Sequence, residues 1–103
     1  MRYVIDLDHT LCDTKKNEDG TWNYLQALPW KDRIERINKL ADEGHTIIIE
    51  TARGFWTKRN WYIETYHQLV SWGLKFHELR TGVKYAADYY IDDKAINSED
   101  FFK

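Results

Sequence analysis

Short apolar runs, each suited to a buried β-strand, recur along this chain with a helical pattern between them. The first run is Tyr3-Val4-Ile5, and residues 47–49 are three consecutive isoleucines. Between them, apolar residues spaced three or four positions apart from Trp30 to Ala41 predict an amphipathic helix. Continuous apolar strands that alternate with helices are typical of a parallel sheet, whose strands are buried on both faces.

The rest of the chain extends this alternation. We expect strands over residues 2–7 and 45–50, a second helix over 57–72, a weaker strand over 76–79 and a last strand over 88–91. Right-handed crossovers then give an α/β fold of three-layer, Rossmann-like type, with a mostly parallel sheet and helices on both faces. Residues 1–103 form one domain, and the polar stretch 13–28 predicts a small flap or hairpin.

Composition narrows the class of protein. The chain has 103 residues, of which 43% are hydrophobic and 16% aromatic, enough for one compact core without staples. Its net charge of −2 disfavours nucleic acid as a partner without excluding it. Cys12 is the single cysteine, so no disulfide forms within the chain. No apolar run approaches the length of a membrane helix and no signal-peptide pattern precedes the first strand, so a cytoplasmic protein away from membranes is expected.

Two acidic motifs follow predicted strands at opposite ends of the sequence. Residues 6–10 read Asp-Leu-Asp-His-Thr, and Asp92-Asp93 follows the last apolar run. Thr51 ends the isoleucine run and Lys84 precedes the second acidic pair. Ligands of parallel α/β sheets bind outside the carboxyl ends of the strands, so we expect these groups to meet there. Crowded carboxylates and a hard-oxygen ligand set predict Mg²⁺ as the cofactor.

These residue types suit the transfer of a phosphoryl group. Asp6 is the candidate nucleophile, since a carboxylate can form an aspartyl-phosphate. Asp8 is the candidate acid and base, Thr51 a donor to a phosphoryl oxygen, and Lys84 a positive charge beside it. The predicted metal site combines a backbone carbonyl near Asp8 with the carboxylates of the two motifs. These carboxylates are Asp6, Asp8, Asp92 and Asp93.

The ordered motifs resemble those of the haloacid dehalogenase (HAD) superfamily. Residues 6–10 match its first motif, 47–51 its second, Lys84 its third and Asp92-Asp93 its fourth. Residues 51–54 and 87–96 are further similar to small HAD phosphatases associated with capsule or surface-polysaccharide biosynthesis. This chain departs from that group at two places: Val83-Lys84-Tyr85 stands where Gly-Lys-Pro is frequent, and His9 where Gly is frequent.

The resemblance implies a Mg²⁺-dependent phosphomonoester hydrolase that works through an aspartyl-phosphate. The intervals between motifs hold one or two elements each, too few for a cap domain, so a capless member with an open site is expected. Its substrate would be a phosphorylated small molecule such as a sugar phosphate. A homo-oligomer in which another subunit covers the open site is a further expectation.

Several assignments stay open at this point. Thr10, Ala52, Arg53 and His9 are the candidate substrate contacts, but Thr10 equally fits a structural hydroxyl, Arg53 a surface ion pair and His9 a solvated loop. Asp93 equally fits a helix N-cap. Two other functions compete with a small-molecule phosphatase: an enzyme acting on a nucleotide or a nucleic-acid end, and a non-catalytic phosphate-binding scaffold.

Overall fold

The computed structural model describes residues 1–103 and is built around a parallel sheet of three strands. These are β1 (Arg2–Ile5), β4 (Thr46–Thr51) and β5 (Glu78–Thr81). The central strand is β4, with β1 on one side and β5 on the other. This arrangement confirms the α/β class and the parallel pairing that the apolar runs predict.

Two helices supply most of the other secondary structure. They are α1 (Lys31–Asp42) and α2 (Tyr62–Ser71), and a short helix α3 (Ser98–Phe101) lies near the end of the chain. The second helix starts later than predicted because residues 57–61 form a loop. In that loop Lys58 has a positive φ of 61°, and the side chain of Asn60 accepts a hydrogen bond from the backbone N–H of Tyr62.

The core lies on one face of the sheet. Ile47, Ile49 and Leu79 of the sheet pack with Ile34 and Ile37 of α1 in a single buried cluster that also includes Leu69 of α2. Strand side chains alternate between faces, so the opposite face carries Val4 and Ile48 from adjacent strands together with charged residues of β5. Val4 is exposed. The sequence predicts helices over both faces of the sheet, whereas in the structure the helices pack on one face.

A two-stranded ribbon forms the predicted flap. Its strands, β2 (Cys12–Asp13) and β3 (Leu28–Pro29), pair antiparallel, and a 3-10 turn (Tyr24–Gln26) lies between them. Cys12 and Ala27 attach the ribbon to the core, because both are buried in the main cluster. The ribbon stands beside the segment that follows β1.

The predicted strand over residues 88–91 does not form. Residues 82–97 contain no helix or strand, and Ile91 is 98% exposed. A strand is stabilised by pairing and by burial of its side chains, and here no layer packs on Tyr89 or Ile91.

None of the helices combines the length and the apolar character needed to cross a bilayer.

The core makes a simple stability prediction. Leu69→Ala should lower the free energy of unfolding by about 3 kcal/mol, because a fully buried leucine is replaced by a cavity. Ile63→Ala on the same helix should change it by less than about 1 kcal/mol, because Ile63 is exposed. Urea denaturation of the two variants checks this, and equal losses would contradict the core described here.

Candidate active site

The first acidic motif lies in the tight loop that follows β1. Leu7 is fully buried, and its carbonyl accepts hydrogen bonds from the backbone N–H groups of Thr10 and Leu11. His9 has a positive φ of 64°, a conformation that a non-glycine residue adopts mainly in such turns. The loop therefore turns back on itself, and the two aspartates on either side of Leu7 take different surroundings.

Asp6 carries a partly open carboxylate held by two donors. The Lys84 ammonium lies 2.9 Å from one carboxylate oxygen, and the Thr10 hydroxyl donates to the other at 2.9 Å. The side chain of Asp6 is 32% exposed. The predicted meeting of the first motif with Lys84 is thus present, and Thr10 acts here as a donor that orients Asp6.

Asp8 faces the interior. Arg53 donates to both of its carboxylate oxygens, at 3.0 and 2.9 Å, and Thr14 donates to one of them at 2.6 Å. Burial by itself would raise the pKa of Asp8, but the hydrogen bonds and charge of Arg53, with the Thr14 hydroxyl, leave that pKa below its ordinary value. Asp8 is therefore an ionised partner of Arg53.

Arg53 does not face a substrate site. The residue is 1% exposed, and its guanidinium also donates to Thr65 at 3.2 Å and to Gln68 at 2.8 Å. The ring of Tyr24 lies against the guanidinium at 4.7 Å. Arg53 therefore matches neither of its two predicted roles, a substrate contact or a surface ion pair, because its N–H groups donate to buried protein groups.

This network connects three parts of the molecule. Gln68 of α2 accepts from Arg53 and donates at 2.7 Å to the backbone carbonyl of Tyr24, which belongs to the flap. Thr65 and Gln68 are three residues apart and lie on one side of α2. The sequence analysis did not predict Thr14, Thr65 or Gln68 as site residues, because no spacing links them to Asp8. The spacing of three between residues 65 and 68 could only have indicated that these two lie on one side of a helix.

Thr51 and Ala52 lie where β4 ends. Thr51 is buried, and its hydroxyl accepts from the backbone N–H of Arg53 at 3.2 Å. Its carbonyl accepts from the N–H of Gly82 at 3.1 Å, which joins the ends of β4 and β5. The carbonyl of Ala52 accepts from Phe55 at 2.8 Å. Both residues thus shape the turn beside the site.

His9 contacts the flap. Its ring packs edge-on against Trp22 at 5.3 Å, and the ammonium of Lys16 lies over Trp22 at 5.0 Å. His9 is exposed, in agreement with a loop position at the mouth of the site. It lies where a substrate could touch it, and its role as a contact stays a prediction.

The second acidic motif does not join the first. Asp92 and Asp93 are exposed, and Asp92 accepts from the backbone N–H of Lys94 at 2.7 Å. That hydrogen bond lowers the pKa of Asp92. The nearest link to the site is Tyr90, whose ring lies 4.9 Å from the ammonium of Lys84.

The carboxylates therefore do not form a metal centre in this arrangement. No group of three or more His, Cys, Asp or Glu side chains is placed to hold an ion. Asp6 is bound to Lys84 and Asp8 to Arg53, so each already has a cationic partner. The donor set present does not fit Mg²⁺, and the predicted ligands Asp92 and Asp93 are the residues that are missing from it.

Comparison with known proteins gives a fold relative. No protein-family model matches the chain, and no curated protein matches it. A crystal structure of an MCSG target protein from Vibrio cholerae is similar over 98% of this chain and 86% of that chain. The TM-score is 0.81 and the sequence identity 25%. The same α/β arrangement thus occurs in a protein known from crystallography.

The thiol beside the site should be inert. Burial raises the pKa of Cys12 to about 11, and its side chain is fully buried. Roughly one molecule in a thousand would then carry the thiolate at pH 8, so Ellman's reagent should label the native protein far more slowly than the protein in denaturant. Fast labelling of the native protein would show that the β2 segment opens readily.

The buried ion pair should dominate the stability of the site. Arg53→Met should lower the free energy of unfolding by about 3 kcal/mol, because it leaves the carboxylate of Asp8 without its charged partner. Arg59→Met, which breaks the exposed pair with Glu64, should cost less than about 1 kcal/mol. Chemical denaturation at pH 7 measures both losses.

The difference in stability between the wild-type protein and Arg53→Met should disappear in acid. The folded pKa of Asp8 lies below the unfolded value, so its contribution is present above about pH 3.9 and is lost as the pH falls through the folded pKa. Wild-type protein and Arg53→Met should converge in stability over that acidic range. A gap that stays constant down to complete protonation would mean that Arg53 stabilises by packing alone.

Proposed function

We propose that this chain is a phosphomonoester hydrolase in which Asp6 is the nucleophile. The observation that carries the proposal is the pairing of a partly exposed carboxylate with the ammonium of Lys84, 2.9 Å away, at the carboxyl end of a parallel strand. Ligands of such sheets bind at this end. The motif order that resembles the HAD superfamily supports the same reading, with a capless member as its form.

Asp6 suits attack better than Asp8. Both oxygens of Asp8 accept hydrogen bonds from the buried guanidinium of Arg53, which lowers their availability to a substrate. Asp6 is held by a primary ammonium and one hydroxyl, and its side chain is more exposed than that of Asp8. An ammonium on a flexible stem can follow the phosphoryl group as charge moves from the carboxylate to it.

The reaction has two balanced steps. A carboxylate oxygen of Asp6 attacks phosphorus, the bond from phosphorus to the ester oxygen breaks, and the leaving oxygen takes a proton. Water then attacks the aspartyl-phosphate and loses a proton to solvent, and the bond between phosphorus and the carboxylate oxygen breaks. Inorganic phosphate leaves, and the carboxylate is restored. Lys84 stabilises the negative phosphoryl oxygens in both steps.

The proton of the first step need not come from Asp8. In its hydrogen-bonded state Asp8 is ionised and holds no proton to give, so solvent water is the donor that this arrangement supports. The predicted acid role of Asp8 requires release from Arg53. No step is assigned to a metal, because the carboxylates do not form a ligand set; the predicted Mg²⁺ requirement is measured separately.

The substrate class follows from what surrounds Asp6. The flap stands beside the site, and the intervals between motifs hold no cap domain. We propose a small phosphorylated metabolite such as a sugar phosphate as the basic substrate, in a cytoplasmic protein. Association with a second copy as a cover for the site is part of the same proposal.

Phosphate release from p-nitrophenyl phosphate, sugar phosphates and nucleotides, with and without Mg²⁺, tests the proposal. Asp6→Asn should lower kcat by about a thousandfold or more, because it removes the nucleophile. Asp42→Asn, at an exposed aspartate paired with a lysine on the surface, is the matched control and should keep full activity. Release that survives Asp6→Asn would overturn the assignment of the nucleophile.

A second variant separates the roles of Asp8. With p-nitrophenyl phosphate the leaving group needs no proton, whereas an alkyl phosphate does. If Asp8 only orders the loop, Asp8→Asn should affect both substrates by the same factor. A loss confined to alkyl phosphates would instead assign the acid role to Asp8.

A further inference from the structure

A groove lies beside the candidate active site, between β5 and the loop that leads into α2. Its volume is about 640 Å³, and no acidic side chain lines it. The lining residues that matter here are Gly54, Lys58, Arg59, Tyr62, Arg80 and Val83. Lys84 follows Val83 directly, and its ammonium contacts Asp6. The segment that lines one end of the groove therefore also carries the ammonium that contacts the proposed nucleophile.

Three cations line this groove, and they differ in how far they are neutralised. Arg59 forms a 2.8 Å ion pair with Glu64, and Arg80 lies 3.5 Å from Glu50 in a looser pair. Lys58 has no carboxylate within ion-pair distance. Lys58 is thus the cation that an incoming anion would meet first.

Aromatic rings just outside the lining residues contact two of these cations. The ammonium of Lys58 lies over Phe55 at 5.0 Å, and Phe55 packs edge-on against Trp56, which is 74% exposed. On the other side, the guanidinium of Arg59 lies 3.7 Å from the centre of the Trp61 ring. The open ring of Trp56 thus contacts the ring on which the unpaired ammonium lies. A solvent-exposed ring at this distance from a cation suits a planar base whose neighbouring phosphate meets the cation.

The backbone fixes this loop in place. Gly54 has a φ of +87°, and a Cβ there would lie 2.2 Å from the carbonyl oxygen of Arg59. The N–H of Lys58 donates to the carbonyl of Gly54 at 3.0 Å, which closes the loop. The loop is closed by its own backbone, so its cations and rings keep a set spacing from the end of β4.

We infer that this groove binds the nucleotide adjoining the phosphate to be removed, so that the substrate is the phosphorylated end of a short single strand of nucleic acid. The inference rests on the proposed hydrolase activity and replaces the sugar phosphate named there with the nucleic-acid end that the sequence left open as an alternative. A sugar phosphate would leave the unpaired ammonium and the open indole without partners. A duplex would hide its bases from Trp56, whereas a single strand presents them.

The chain's net charge of −2 agrees with a site of this size. Proteins that bind long stretches of nucleic acid carry a broad basic excess, which this one lacks. Here three cations are gathered in one groove of about 640 Å³. The preference should therefore reach its maximum within a few nucleotides of the phosphate.

Phosphate release from a phosphorylated tetranucleotide, a nucleoside monophosphate and a sugar phosphate tests this inference. The tetranucleotide should show a kcat/KM about tenfold above the other two, because stacking and one phosphate contact contribute. Lys58→Asn, which suits the left-handed backbone at residue 58, and Trp56→Ala should each remove most of that preference. Lys39→Asn, on the exposed side of α1, should keep it.

A binding measurement separates the two proposals. Fluorescence anisotropy of a labelled, unphosphorylated tetranucleotide reports the groove whether or not the protein hydrolyses phosphate esters. Binding that Lys58→Asn and Trp56→Ala weaken, in a protein that releases no phosphate, would reject the hydrolase and keep the groove. Hydrolysis with equal kcat/KM for all three substrates, or binding that neither variant changes, would overturn the nucleic-acid inference and keep the hydrolase.

Discussion

The buried pair of Asp8 and Arg53 is the interaction on which the site depends. Arg53 begins the turn after β4, Asp8 lies just before the turn at residues 9–11, and their two hydrogen bonds hold these segments together. A guanidinium without exposed surface is tolerable only when its donors are satisfied, and here Thr65 and Gln68 of α2 take the remaining ones. Strand ends, helix and flap are therefore positioned by one charged group.

That pair also explains why two aspartates two residues apart differ so strongly. On a continuous strand they would point the same way, but the strand ends at Ile5 and the loop turns immediately after it. Asp8 is directed inward to a rigid cation, and Asp6 stays at the surface with a flexible one. Similar carboxylates thus become a buried structural anchor and a partly exposed group that solvent can reach.

Sequence reasoning predicted the parallel strands, α1 and the meeting of Asp6 with Lys84, because continuous apolar runs and strand-end positions obey local rules. It left Arg53 open between a substrate contact and a surface ion pair, both of which need an outward side chain, because spacing cannot tell an inward from an outward one. It also predicted a strand at 88–91 from β-favouring residues, although strand formation depends on a neighbour and a covering layer that are distant in sequence. The predicted metal ligands are not brought together for the same reason, since the expected position of Asp92 depended on that strand.

The glycine at position 54 has a consequence for how this protein can vary. Any side chain there would collide with backbone, not with a side chain that could move aside, and the left-handed φ adds strain. The loop can therefore exchange its exposed side chains at residues 56, 57 and 59 while its path stays the same. Because the backbone path does not depend on these side chains, single substitutions can change which ligand the groove prefers while the protein still folds.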